Sequence, residues 1–173
     1  MQYKTFSTYF IILMFLSMSA FSQSDSLTKK QSHLIVANLL DSITANLKER
    51  KATDIVSFFS FGFSKEYGCI VWKEGSNMKG MKLAYKNGKL KNKKVASSKI
   101  NKSIFESYFK DKCDLIKTFK NDKASYISHD FTIYVKTANQ IGEQQLFFMY
   151  SSYLANKDVQ CAIIIKELMR LSE

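Results

Sequence analysis

His129 and Asp130 stand side by side in "SYISHDFTIYVK", with Ser125 and Ser128 just upstream. A histidine near a hydroxyl and a carboxylate is the raw material of general-base or nucleophilic catalysis. The local pattern argues against that use here. Side chains along a strand alternate between its two faces, so His129 shares a face with Phe131 and Ile133 while Ser128 and Asp130 point away. Neighbours on opposite faces cannot orient one another as a triad requires. His129 is therefore expected to be structural. An enzyme whose site is assembled from distant residues around His129 is kept as an alternative reading.

Other chemistry is thinly represented. A metal site would have to gather His33, His129 and cysteines from distant segments, and no close pair such as C-x₂-C is present. The six glycines are isolated and form no phosphate-cradling loop. Nothing singles out a catalytic pair among the fifteen acids. No catalytic residue, metal ligand or cofactor is assigned.

Three cysteines allow one bridge and a free thiol, or three thiols. Cys69 in "GCIVW" and Cys161 in "VQCAIII" read as small core residues. Cys113 in "KDKCDL" has lysine neighbours that would lower its pKa, which makes it the expected reactive thiol.

Charge is the strongest compositional signal. The chain carries +11, and residues 79–123 hold fourteen lysines against only Glu106, Asp111, Asp114 and Asp122. Lys89, Lys91, Lys93 and Lys94 crowd one short segment. They are the candidate contacts for a polyanion or an anionic membrane surface. The competing explanation is a solvated strand at a sheet edge, where lysines discourage unwanted pairing. The only arginines are Arg50 and Arg170, so the segment lacks the bidentate fork usual in specific phosphate recognition. Edge protection is the reading that the sequence favours. Tyr85 falls on the inward parity while the lysines point out, so stacking of nucleic-acid bases is not expected.

Residues 6–23 contain no charged side chain, and Phe10–Leu16 is unbroken apolar sequence. That core suits a signal peptide better than a membrane span, which needs about 20 apolar residues. Ala20 and Ser22 stand at −3 and −1 for cleavage before Gln23. The expected organisation is a signal peptide over 1–22, a flexible mature N-terminus over 23–31 and a single domain over 32–173. No transmembrane segment is expected after cleavage, and a periplasmic or secreted location is expected.

Hydrophobic periodicity supplies the elements. Val36, Leu40, Ile43 and Leu47 predict a helix over 32–50, with Ser32 as its cap. Strands are expected over 55–63, with Phe59, Phe61 and Phe63 on one face, and over 68–73 and 81–86. Met81, Leu83 and Tyr85 face inward in the last of these, and Lys82, Ala84 and Lys86 outward. Asn87-Gly88 is a favoured two-residue hairpin turn, with "KLKNKKV" as the return strand. A helix over 100–119, broken near Asp111–Asp114, precedes strands over 126–136 and 143–154. The last element is a helix over 158–171, capped by Asn156 or Asp158.

Short connections imply antiparallel pairing. The predicted fold is α+β: one antiparallel sheet of five or six strands, with an N-terminal, a middle and a C-terminal helix packed mainly on one face. The functional expectation is a non-catalytic binding or interaction module of the cell envelope or secretome with a protein partner. The sequence specifies no oligomeric state.

Overall fold

The computed structural model describes residues 31, 33–62, 66–87, 89–111, 113–119, 131–139 and 142–173. The chain divides into two compact units, Met1–Asp41 and Ser42–Glu173. Residues 33–49 are helical (α1), so the first half of this helix belongs to the first unit and the second half to the other. Within the first unit, Val36 and Leu40 are buried, four residues apart as an apolar stripe requires.

The second unit is one six-stranded antiparallel sheet with helices packed on it. In chain order it contains β1 (Thr53–Phe61), β2 (Glu66–Glu74), β3 (Asn77–Lys86), β4 (Lys89–Val95), α2 (Lys102–Lys110), α3 (Leu115–Phe119), β5 (Thr132–Asn139), β6 (Gly142–Met149), α4 (Tyr150–Ala155) and α5 (Gln160–Ser172). The strand order is β4-β3-β2-β1-β5-β6, so "KLKNKKV" is an edge strand as expected. The antiparallel α+β fold and the strand count agree with the sequence reading.

The strand period of two builds the main core. Val56 and Phe58 of β1, Cys69 and Val71 of β2, and Ile133 and Val135 of β5 share one face. There they meet Phe105, Leu115, Phe119, Ile164, Ile165 and Leu168 from α2, α3 and α5. Each such side chain contributes on the order of 1.5–3 kcal/mol through burial. The stripe Cys161, Ile164, Ile165, Leu168 and Leu171 is buried along α5, as its spacing predicts.

The opposite face carries Ile55, Phe59, Ile70, Leu83 and Tyr134, all buried. The 42–49 half of α1 lies on this side, where Ile43 and Leu47 share a cleft with Trp72 and Met81. Phe58 and Phe59 are consecutive and both fully buried, so β1 is covered on both faces. Gly68 pairs with Phe59, and a Cβ there would stand 2.7 Å from the Phe59 ring. Glycine is what lets the ring lie across β2.

Several local expectations are corrected. The segment expected as a strand over 143–154 splits at Met149, and Tyr150–Ala155 is helical. The Tyr150 N–H donates to the Phe131 carbonyl at 2.9 Å, and beyond that bond Tyr150 and Tyr153 stack at helical spacing. No β-branched residue in "YSSYLA" holds the chain extended. Val159, rather than Asn156 or Asp158, occupies the cap of α5, and no side chain bonds there. Asn156 donates to the Ser152 carbonyl at 2.8 Å instead. The break expected near Asp111–Asp114 is present between α2 and α3. Ser32, Phe63, Ser125, Ser128, His129 and Asp130 lie outside the described residues.

Candidate anion-binding face

The β3–β4 ribbon begins inside the core and ends in solvent. Met78 of β3 and Val95 of β4 belong to the main core cluster, with Ile100 beside them. A Cβ on Gly80 would stand 3.2 Å from Ile100 and 3.3 Å from Val95, so this end of the ribbon is closely clamped. The hairpin closes with Lys86 opposite Lys89 and Asn87 at a φ of 53°. That positive φ is what a type I′ turn needs at its first central position.

The alternation then fixes the face. Gly80, Lys82, Ala84 and Lys86 share the side of Met78, while Lys89, Lys91 and Lys93 share the side of Val95. The pairs across the ribbon are Lys82 with Lys93, Ala84 with Lys91, and Lys86 with Lys89. The result is a grid of two columns and three rows, filled by five lysines and one alanine. Rows on a strand face are about 6.6 Å apart and the columns about 5 Å, so the grid runs about 13 Å along the strands.

Lys86, Lys89, Lys91 and Lys93 are exposed, and Lys82 is half-buried. None of the five forms a salt bridge or side-chain hydrogen bond with another described residue. Neither strand contains an acid. Tyr67 of β2 pairs with Ala84 and packs against the core, closing the grid on its inner side. Cys69 pairs with Lys82, and the Lys82 charge partly offsets the burial that pushes the Cys69 thiol up.

Of the four lysines that the sequence singles out, Lys89, Lys91 and Lys93 stand together. Lys94 pairs with Met81 and faces the other side of the sheet. Lys82 and Lys86 complete the face, and reading the sequence for charge density alone misses them. A signal for both exists: a two-residue turn at Asn87-Gly88 forces Lys86 opposite Lys89 and Lys82 opposite Lys93.

Other chemistry is quieter. Tyr108, Cys113, Thr137, Asn139 and Gln144 line a cleft of about 200 Å³. Burial pushes the Tyr108 phenol up despite its bond to Thr137, so it remains a neutral donor rather than a base. Glu143 at the rim is held below the usual carboxylate range by hydrogen bonds from Lys48 and Lys136. Among the described residues no group of three His, Cys, Asp or Glu side chains is placed to hold a metal.

The thiol reading of Cys113 is corrected. Cys113 forms a disulfide with Cys161, with Cα atoms 5.5 Å apart, joining the α2–α3 connection to the first turn of α5. The free cysteine is Cys69, which is buried and donates to the Leu168 carbonyl at 3.2 Å.

No family model, curated protein or solved structure matches the chain.

Proposed function

We propose that this chain is an exported, non-catalytic binding module that holds a polyanionic partner on the lysine face of the β3–β4 ribbon. The carrying observation is that Lys82 lies inside the sheet on β3, paired with Cys69 of β2 on one side and Lys93 of β4 on the other, and that Lys86 shares its face. Edge protection explains lysines on β4, but Lys82 has no free edge to protect. Like charges directly opposite each other destabilise a strand pair. The ribbon nevertheless carries two such pairs, Lys82–Lys93 and Lys86–Lys89. Local rules are most often broken where function requires it. A polyanion neutralises all five charges at once and releases its own counterions.

Export is supported by the Phe10–Leu16 apolar core, the Ala20 and Ser22 pair, and the Cys113–Cys161 bridge, which suits an oxidising compartment. Among the described residues no helix is long and apolar enough to cross a membrane.

Immobilised dextran sulfate at physiological salt tests the binding role. The purified protein is expected to be retained and to elute with a steep dependence on salt. The double variant Lys82→Gln/Lys86→Gln, which leaves the edge strand untouched, is expected to lose most of that retention. Equal retention of the double variant would return the lysines to a solubility and edge-guarding role.

A further inference from the structure

The cleft between the 42–49 half of α1 and strands β2 and β3 lies on the face of the sheet opposite the lysines. Its volume is about 360 Å³. Cavities that hold small molecules measure about 300–1,000 Å³, a range that the Tyr108 cleft, at about 200 Å³, does not reach. Helical spacing gives the cleft two kinds of wall on α1. Ile43 and Leu47 form an apolar row, and Ser42, Asn46 and Arg50 form a polar row beside it. The Lys51 N–H donates to the Lys48 carbonyl and the Ala52 N–H to the Leu47 carbonyl, both at 2.9 Å, with Lys51 at a φ of 62°. This Schellman closure fixes Arg50 at the end of the helix and occupies carbonyls that would otherwise repel an anion.

Trp72 and Met81 form the sheet side. The Trp72 Nε1–H is buried and has no hydrogen-bond partner among the described residues. Buried donors are normally paired, and an indole nitrogen only donates, so the partner that satisfies it is an acceptor. Arg50 adds charge to this donor. Arg170, the other arginine, is held by Glu167 and the Lys99 carbonyl. Arg50 is exposed and makes no salt bridge or side-chain hydrogen bond with another described residue. No acid lines the cleft, and Glu74, which shares a face of β2 with Trp72, is paired with Lys79. An unpaired donor and a lone guanidinium beside apolar walls match a ligand with one anionic group and an apolar body. The guanidinium fork favours a carboxylate for that group.

We infer that this cleft binds a small amphipathic carboxylate. Its apolar body packs against Ile43, Leu47 and Met81, and its oxygens accept from the Trp72 Nε1–H and the Arg50 guanidinium. The site is separate from the lysine face and does not depend on the polyanion reading.

Trp72 is the only tryptophan in the chain, so its fluorescence reports occupancy. Octanoate and phenylbutyrate, one aliphatic and one aromatic, are the probes, titrated below their aggregation concentrations. Octanol and phenylbutanol are the uncharged controls. At least one carboxylate should shift the Trp72 emission and saturate, and its alcohol should bind about tenfold more weakly or worse. Arg50→Gln should keep the melting temperature and weaken carboxylate binding by about tenfold. Trp72→Phe keeps a ring and removes the N–H, and calorimetry should show weaker binding there too. Lys93→Gln, on the other face, should leave the affinity unchanged. An alcohol that binds as tightly as its acid, or unchanged affinity in Arg50→Gln or Trp72→Phe, would overturn the carboxylate site. The absence of saturable binding of either acid at about millimolar concentration would overturn it as well.

Discussion

Lys82 of β3 stands directly across the ladder from Lys93 of β4, and neither meets an acid among the described residues. An opposed pair of like charges costs about 0.2–1 kcal/mol relative to neutral partners. Lys93→Gln should therefore raise the melting temperature, and added salt should raise that of the unmodified protein by screening the ribbon. Thermal denaturation across a salt series checks both. A fall in melting temperature for Lys93→Gln would show that Lys93 has a stabilising partner.

The Cys113–Cys161 bridge closes a loop of 48 residues. On the chain-entropy estimate such a loop stabilises by about 4 kcal/mol. Cys113→Ser/Cys161→Ser is expected to lose on the order of 2–5 kcal/mol in denaturant unfolding. Native thiol labelling should modify no cysteine, because Cys69 is fully buried and burial raises its pKa. Rapid labelling of Cys113 in the native protein would contradict the bridge.

Glu143 links two elements. It pairs with Lys48 of α1 and, at 3.2 Å, with Lys136 of β5, whose side chain is only 10% exposed. Both lysines hold the Glu143 carboxyl below its usual range. A depressed folded-state pKa contributes stability above the unfolded value, and that stability is lost as pH falls through the folded one. Melting temperature should therefore drop below about pH 4, and Glu143→Gln should flatten that part of the profile while lowering stability at neutral pH. An unchanged acid limb in the variant would assign the drop to other carboxylates.

Arg170 holds a buried carboxylate. Its Nε donates to Glu167 Oε2 at 2.7 Å, and Nη2 donates to Glu167 Oε1 and to the Lys99 carbonyl, both at 2.6 Å. Removing Arg170 leaves Glu167, which is 6% exposed, with the Asn101 N–H at 3.4 Å. Arg170→Ala is expected to cost about 1–3 kcal/mol, and Glu167→Gln in the same chain should recover part of it. Chemical denaturation of the single and double variants checks this. An additive loss would mean that the two side chains act independently.

The architecture is legible wherever a periodicity runs uninterrupted. The alternation in "MKLAYK", the Asn87-Gly88 turn and the lysine-rich return strand together specify the ribbon, its edge position and its register. The α5 stripe is equally plain, because five apolar residues at helical spacing admit one buried face. The end of β6 is not legible, since "EQQLFFMYSSYL" alternates well enough to continue as a strand. What stops it is the tertiary stacking of Tyr150 on Phe131, with rings 4.5 Å apart. The partner of Cys113 is hidden for a related reason, because 48 residues separate it from Cys161 and only packing of α5 beside the α2–α3 connection joins them. The lysine grid is half visible. The lysines of β4 stand out by their density, whereas those of β3 gain meaning only once that strand is known to lie inside the sheet.

Lysine footprinting tests the binding face most directly. Amine acetylation of the native protein, read residue by residue by mass spectrometry with and without dextran sulfate at physiological salt, reports which ammoniums the polymer covers. Lys82, Lys86, Lys89, Lys91 and Lys93 should be protected together, while Lys94 on the opposite face, Lys157 and Lys166 keep their reactivity. Protection spread evenly over all lysines, or centred away from β3 and β4, would contradict a dedicated face on this ribbon.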